Sequence, residues 1–448
     1  MLQNKHLKLQ AQQMAMNVLN YFGRERDNGG AFLPFTSVMQ RTTEACGISI
    51  NTLTTIKKRF NNAEIENQPI TKSRDVCEIY SDTFWLSLEY YEFYRKENLQ
   101  YTEGDFIFTG IEINQRYVVN NLIGKGCFSK VYNVTDKINK SKVALKIISH
   151  PIDNDIGENE VNILQVVNSS THNYKKYIAV MLNSFIWNGV MCLVLEKHYL
   201  NLKTLIDVHH NKGLSLNFIR CISKQLMKAL IFLSDINIIH CDLKPSNILI
   251  SDIGVLSIKL IDFGVSKVGT EKHVNSLQIC TYSAPEVLIQ APCTRAIDMW
   301  STGCILMEIC TGKQLFSGFD QCDQINKIIE VLGMLPKTLL NLGTKTQKFF
   351  NKSSTGAYSL RTFSRRLYRK PASKKFIEIL NLYDSGIWRR KEVKFGLTVC
   401  DYYEFINIIS KMLQYDPEIR FTPEAALEHV FLDSRVKAYW EGYVRVLY

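Results

Sequence analysis

The sequence predicts an α+β fold of two lobes, a small β-rich one followed by a larger helical one. Two changes of pattern carry this reading. Near Arg116 short β-rich runs begin, "QRYVVNNLIGKGCFSKVYNVTD" and "SKVALKIIS", joined by glycine or polar turns. From about Glu158 helical patterns take over, in "ENEVNILQVV", "LNFIRCISKQLMKALIFLS", "AIDMWSTGCILMEICTG" and "DQINKIIEVLGM". A strand-rich piece followed by a helix-rich one leaves a cleft between two lobes, a preferred place for a ligand. Ahead of both, residues 1 to about 110 read as helical, with Tyr80, Phe84, Leu88 and Tyr91 on one helix face.

The β-rich piece contains "IGKGCFSKV", which sets Gly124 and Gly126 between two predicted strands. Glycines let backbone amides approach phosphate oxygens with no side chain in the way. Ser129 stands where such loops often carry a third glycine. On the next strand, "VALKII", Ala144 and Lys146 face the same side. A small residue there leaves room for an adenine, and the lysine reaches the α- and β-phosphates. A buried ammonium needs a carboxylate. Glu160 in the following helix is the candidate, since Glu158 lies on another face.

The helical piece contains "IIHCDLKPSNILI". Asp242 can accept a hydroxyl proton, Lys244 can neutralise a moving phosphoryl group, and Asn247 can hold a metal ion. In "KLIDFGVSK", Asp262 ends an apolar strand ahead of Phe263 and Gly264, as suits a magnesium ligand on a turn. His240 reads as an apolar-packed structural residue, because Asp242 already fills the role of base.

Composition sets outer bounds. The 448 residues are 46% hydrophobic and 22% charged, with a net charge of +11. No apolar run approaches the ~18 residues of a membrane span, so no membrane contact is expected. The first twenty residues lack the compact apolar block of a secretory signal. The 12 cysteines form no C-x-x-C pair, which points to a reducing compartment, cytoplasm or nucleus. From Lys337 to Lys394, 15 Lys and Arg stand against three acids. That segment is either a solvated basic face or a docking surface for acidic proteins or nucleic acid. In "RTTEACGISINTLTTIKKRF", within residues 41–60, apolar positions flank a turn at Gly47 and a basic run follows. This reads as a helix-turn-helix able to contact DNA, or as an ordinary helical hairpin.

Taken together, "IGKGCFSKV", "VALK", "HCDLKPSNIL", "IDFG", "SAPEVL" and "IDMWSTGCILMEICTG" resemble a eukaryotic protein kinase over roughly residues 112–433. The resemblance is nearest to the DYRK/Yak branch of the CMGC group. Members similarly carry "HCDLKP", with cysteine at the position of Cys241. "EVLGMLP" and the insert-like "GTKTQKFFNKSSTGAYSL" also read that way. The resemblance implies a small lobe over 112–196 and a large lobe over 197–433 with a basic insert at about 337–394; outside it lie the helical extension over 1–111 and a tail over 434–448. It implies ATP with Mg2+, or alternatively Mn2+, and protein substrates phosphorylated on Ser or Thr. The glycine loop from Ile123 through Lys125, Cys127 and Phe128 to Val131 would cover the nucleotide. Leu195 would be the gatekeeper, and Glu196, Lys197 and His198 the hinge. His240, Phe263 and Leu164 would pack as a spine. Glu286 would pair with Arg420, and Asp298 would anchor the catalytic loop.

The departures from the family are specific. A thiol at Cys241 cannot pair with an activation-loop phosphate as an arginine does, though it leaves Asp242 untouched. The family's two activation-loop tyrosines are Val274 and Ser276, and two family arginines are Cys280 and Ser283. Thr281 and Tyr282 are expected to pack against the catalytic loop. Two other functions compete with an active kinase: a pseudokinase scaffold, and a DNA-associated regulator acting through residues 41–60.

Overall fold

The computed structural model describes residues 109–198, 200–209, 212–252, 256–269, 281–361, 368–382 and 399–432. The expected N-terminal helices, the helix-turn-helix at 41–60, residues 274, 276 and 280, and the tail lie outside the described residues.

The small lobe is a six-stranded antiparallel sheet. Its strands are β1 (Glu112–Ile113), β2 (Tyr117–Lys125), β3 (Ser129–Asp136), β4 (Lys142–Ile148), β5 (Met181–Trp187) and β6 (Val190–Leu195), in the order β1-β2-β3-β4-β6-β5. Alternation along the strands gives the sheet two unlike faces. Tyr117, Val119, Tyr132, Val134, Val143, Leu145, Cys192 and Val194 form a buried apolar cluster. The opposite face carries the cleft residues. Register places Gly124 opposite Val131, Val131 opposite Lys146, Lys146 opposite Leu193, and Ala144 opposite Leu195. Residues directly opposite share a face, so these side chains form one patch from four strands.

Helix α1 (Asn154–Ser169) follows β4 and buries Glu160, Val161, Ile163, Leu164 and Val167. Beyond β6 the chain enters the helical lobe through β7 (Leu200–Asn201), α2 (Leu202–Val208) and α3 (Leu216–Asp235). Asn201 and Ser215 cap α2 and α3, accepting from the amides of Thr204 and Phe218. The strands β8 (Ile238–Ile239), β9 (Ile248–Asp252), β10 (Ser257–Leu260) and β11 (Lys267–Val268) make two small sheets, β10-β9-β7 and β11-β8. They present the catalytic loop and the Asp262 turn to the cleft.

After α4 (Pro285–Leu288) comes α5 (Ala296–Thr311), apolar on nearly every side and buried from Ile297 to Cys310. Such a helix belongs at the centre of a lobe. It ends at Gly312, whose φ of 73° is the left-handed conformation that closes many helices. Around it lie α6 (Gln321–Leu332), α7 (Lys337–Leu342), α8 (Thr346–Phe349), the hairpin β12 (Phe350–Lys352) and β13 (Tyr358–Leu360), α9 (Phe376–Ile379), α10 (Val399–Met412) and α11 (Pro423–Leu427). The described part of the basic insert is thus short helices and one hairpin on the lobe's surface. Among the described residues no helix is long and apolar enough to cross a membrane.

The Glu286–Arg420 pair is fully buried. The guanidinium donates to both Glu286 carboxylate oxygens, at 2.7 and 3.1 Å, and to the carbonyls of Ala296, Gln414 and Tyr415. It therefore joins α4, the start of α5 and the turn after α10. Removing one partner leaves a buried charge uncompensated. Arg420→Ala is expected to lower the free energy of urea unfolding by about 3–5 kcal/mol. Glu286→Leu combined with Arg420→Met should recover only part of that loss, since the carbonyls of Ala296, Gln414 and Tyr415 still lose their donor.

Candidate active site

Three segments far apart in sequence meet at one ammonium group. Lys146 Nζ lies 2.6 Å from Glu160 Oε2 and 2.6 Å from Asp262 Oδ1. The β4 strand supplies the lysine, α1 one carboxylate, and the turn after β10 the other. Glu160 also accepts from the Phe263 amide at 3.4 Å, so it holds the turn as well as the lysine. Asp262 sits at φ 69°, in the left-handed region that aspartate enters more readily than most residues.

The catalytic loop is assembled from beneath. Asp298, in the first turn of α5, is buried and accepts from the amides of His240 (2.8 Å) and Cys241 (3.1 Å). His240 is itself fully buried, with Nε2 3.1 Å from the Ile261 carbonyl and its ring 4.9 Å from that of Phe263. Leu164 is buried on α1. Above this base, Lys244 Nζ donates to Asp242 Oδ2 at 2.7 Å. Asn247 Nδ2 donates to the Asp242 carbonyl (2.9 Å) and to Oδ2 (3.1 Å). Asp242 is thus oriented by two neighbours of the same loop.

The protein kinase domain model matches residues 117–432, spanning both lobes and every motif just described. The chain belongs to the protein kinase family. Its kinase domain is DYRK-like. Dual specificity tyrosine-phosphorylation-regulated kinase 2 of Drosophila melanogaster is 34% identical over 320 residues, 71% of this chain and 41% of that protein. Dual specificity tyrosine-phosphorylation-regulated kinase 4 of Homo sapiens is 33% identical over 321 residues, 71% of this chain and 58% of that protein. Dual specificity tyrosine-phosphorylation-regulated kinase 3 of Rattus norvegicus is 33% identical over 324 residues, 71% and 54% respectively. The chain spans about half the length of these curated relatives.

Electrostatics in this kinase domain follow from burial. Burial alone would favour neutral Lys146, but Asp262 and Glu160 reverse that and raise its pKa, so the ammonium persists. Glu160 is the more enclosed acid, and burial raises its carboxyl against the pull of Lys146. Asp262, 38% exposed on the cleft side, shifts the other way: the Lys146 charge outweighs its burial and lowers it.

The glycine loop is more open. Gly126 donates to the Ser129 carbonyl at 2.8 Å, closing the β2–β3 turn. Gly126, Lys125 and Cys127 are exposed, Ile123 and Phe128 half-buried, and Ser129 buried in β3. A Cβ added at Gly124 or Gly126 would meet only ordinary contacts with Val131 or Ser129. The protein's own packing therefore leaves room for a side chain at both positions.

At the hinge, the Glu196 amide donates to the Val180 carbonyl at 3.1 Å, which leaves its carbonyl as the backbone group it can offer a nucleotide. Its carboxylate accepts from the Val180 amide (2.9 Å) and lies 2.7 Å from Lys259 and 3.3 Å from His198. Lys259 was not among the sequence candidates. It lies on β10, which is bridged at Leu260 to Ile178, and its ammonium also donates to the Ile178 carbonyl at 3.2 Å.

Tyr282 is buried, and its polar contacts run to the large-lobe helices. Its hydroxyl donates to Glu308 on α5, and the Thr281 carbonyl accepts from Gln324 on α6 at 2.9 Å. Both residues are therefore secured to the large-lobe helices. The unforeseen Asn159 reaches the Asp262 turn from α1.

Burial opposes ionisation of Glu196, yet His198 and Lys259 together hold its carboxyl down to about 2, against 4.5 ordinarily. A carboxylate with a lowered folded pKa stabilises the fold above its unfolded pKa, and that contribution disappears as pH falls through its folded one. The Tm is expected to fall as pH drops from 4.5 towards 2. Glu196→Gln should flatten that part of the profile, measured by calorimetry across the window.

Proposed function

We propose that this chain is an active protein kinase that transfers the γ-phosphoryl group of ATP, with Mg2+, to Ser and Thr hydroxyls of protein substrates. The observation that carries this is the single ammonium of Lys146 held at 2.6 Å from both Glu160 and Asp262. The pairing joins strand, helix and turn at one point and leaves an ammonium facing the cleft where phosphates would bind.

Asp242 accepts the proton of the attacking hydroxyl, and its carboxylate is aimed by Lys244 and Asn247. Lys244 neutralises charge on the phosphoryl group in transit. Lys146 binds the α- and β-phosphates, with Glu160 fixing its position. Ala144, Val131 and Leu195 line the adenine side of the same sheet face.

The donor set fits a hard divalent cation. Lys146 occupies Asp262 Oδ1 and leaves the second carboxylate oxygen. Asn247 spends its nitrogen on Asp242 and leaves its carbonyl oxygen. Among the described residues no group of three or more His, Cys, Asp or Glu could hold a metal unaided. Two protein oxygens, completed by phosphate and water oxygens, are the coordination Mg2+ favours. The ion supplies charge neutralisation at the phosphates when bound.

Ser and Thr are the favoured acceptors, since the lysine of "DLKPSN" resembles Ser/Thr-directed kinases. Lys337, Lys345, Lys348, Lys352, Arg369 and Lys370 are exposed on the described part of the basic insert. They give that face a charge suited to an acidic protein or nucleic-acid partner. The described cysteines are all free thiols, which supports a reducing compartment, cytoplasm or nucleus.

Asp242→Asn is expected to lower peptide phosphorylation about 10²–10⁴-fold while ATP binding persists. Radiolabel transfer and nucleotide-dependent thermal shifts measure the two. Transfer by wild type that survives in both Asp242→Asn and Lys146→Met would refute this reading, as would wild type without transfer.

A further inference from the structure

Helix α1 is tied to its surroundings by the side-chain amides of three asparagines. Near its start, Asn154 donates to the Gly189 carbonyl and accepts from the Met191 amide, each at 2.9 Å. Near its end, Asn168 donates to the Met181 carbonyl at 2.6 Å. Both tie the helix to the β5–β6 part of the sheet. The third points elsewhere. Asn159 Nδ2 faces the carbonyls of Phe263 (3.3 Å), Gly264 (2.9 Å) and Ser266 (3.0 Å). Three carbonyls can be faced only by a donor, so the nitrogen end is fixed by its partners.

Two more contacts secure the same segment. A Cβ at Gly264 would lie 2.6 Å from Ile156 Cγ2, so α1 packs directly on the backbone of the turn. Buried Ser266 donates its hydroxyl to the His240 carbonyl at 2.9 Å, and β11 pairs with β8 immediately afterwards. The segment that starts at Asp262 is therefore gripped by α1 on one side and by the catalytic loop on the other. All of these bonds are between neutral groups. Cys241 meanwhile brings no cation to the loop.

We infer that Asn159 is a positioning residue that fastens the Asp262–Ser266 turn to α1. It keeps Glu160, Lys146 and Asp262 aligned without a phosphate on the activation segment. This inference rests on the kinase reading above. Asn159 is adjacent to Glu160, so any outward swing of α1 must break the carboxylate–lysine contact and the amide–carbonyl contacts together. The alignment is then a property of the fold rather than of its modification state.

The test compares phosphatase-treated wild type with Asn159→Asp and Asn159→Ala, in the full chain. Aspartate is isosteric with asparagine, but between about pH 7 and 8 it is ionised and only accepts, so it turns a charge onto three carbonyl oxygens. The expected result is full activity of dephosphorylated wild type and a fall in kcat of about tenfold or more in both variants. Hydrogen exchange should quicken at residues 263–268, with α3 and α5 unchanged. A residue that merely fills space would tolerate aspartate, so wild-type kcat and exchange in Asn159→Asp would overturn the inference. Loss of activity in dephosphorylated wild type would overturn it too. If wild type shows no transfer in any state, the kinase reading fails separately. The exchange data then decide alone: quickened exchange at 263–268 supports the fastening, and unchanged exchange refutes it.

Discussion

A charge buried between two unlike pieces of structure governs this molecule. The Lys146 ammonium is almost entirely removed from water, and an unpaired ammonium there would lose its proton or stay exposed. Its two acids come from a helix and from a turn in the other lobe. Satisfying one cation therefore fixes the approach of α1 to the sheet and the position of the turn beneath it. At Asp262 the backbone turns at φ 69°, with the carboxylate on the lysine and the Phe263 ring against His240.

The large lobe uses the same principle at greater depth. Asp298 sits where the positive end of the α5 dipole favours a carboxylate, and it spends that charge on two loop amides. Arg420 spends its donors on one carboxylate and three carbonyls. In each case a buried charge is neutralised by groups from separate elements, and the elements are positioned as a result. The cleft inherits its geometry from these anchors, and the catalytic loop itself carries little regular structure.

What could be read from the sequence was whatever chemistry restricts to one residue type. Phosphate, metal and proton transfer leave few choices, so Gly124, Gly126, Lys146, Glu160, Asp242, Lys244, Asn247 and Asp262 stood out at workable separations. The structure brings Lys146, Glu160 and Asp262 together, and Asp242, Lys244 and Asn247 likewise. Buried anchors such as Asp298 and Arg420 came only through family resemblance, because nothing local in the sequence marks their partners. Asn154, Asn159, Asn168 and Ser266 escaped notice altogether. Their bonds run from side chain to backbone, and a carbonyl has no residue type to read. Lys259 was missed for a related reason, as its partner Glu196 lies 63 positions away.

Cys241 has a consequence beyond its own chemistry. Its backbone, at φ 67°, donates its amide to Asp298 below, and its thiol lies 3.5 Å from the Ile239 carbonyl. The neighbouring Asp242 is oriented by Lys244 and Asn247. The orientation of the Asp242 carboxylate and the identity of the side chain at 241 are thus separate matters within one loop. A substitution at position 241 that keeps this backbone leaves the Lys244 and Asn247 contacts of Asp242 where they are.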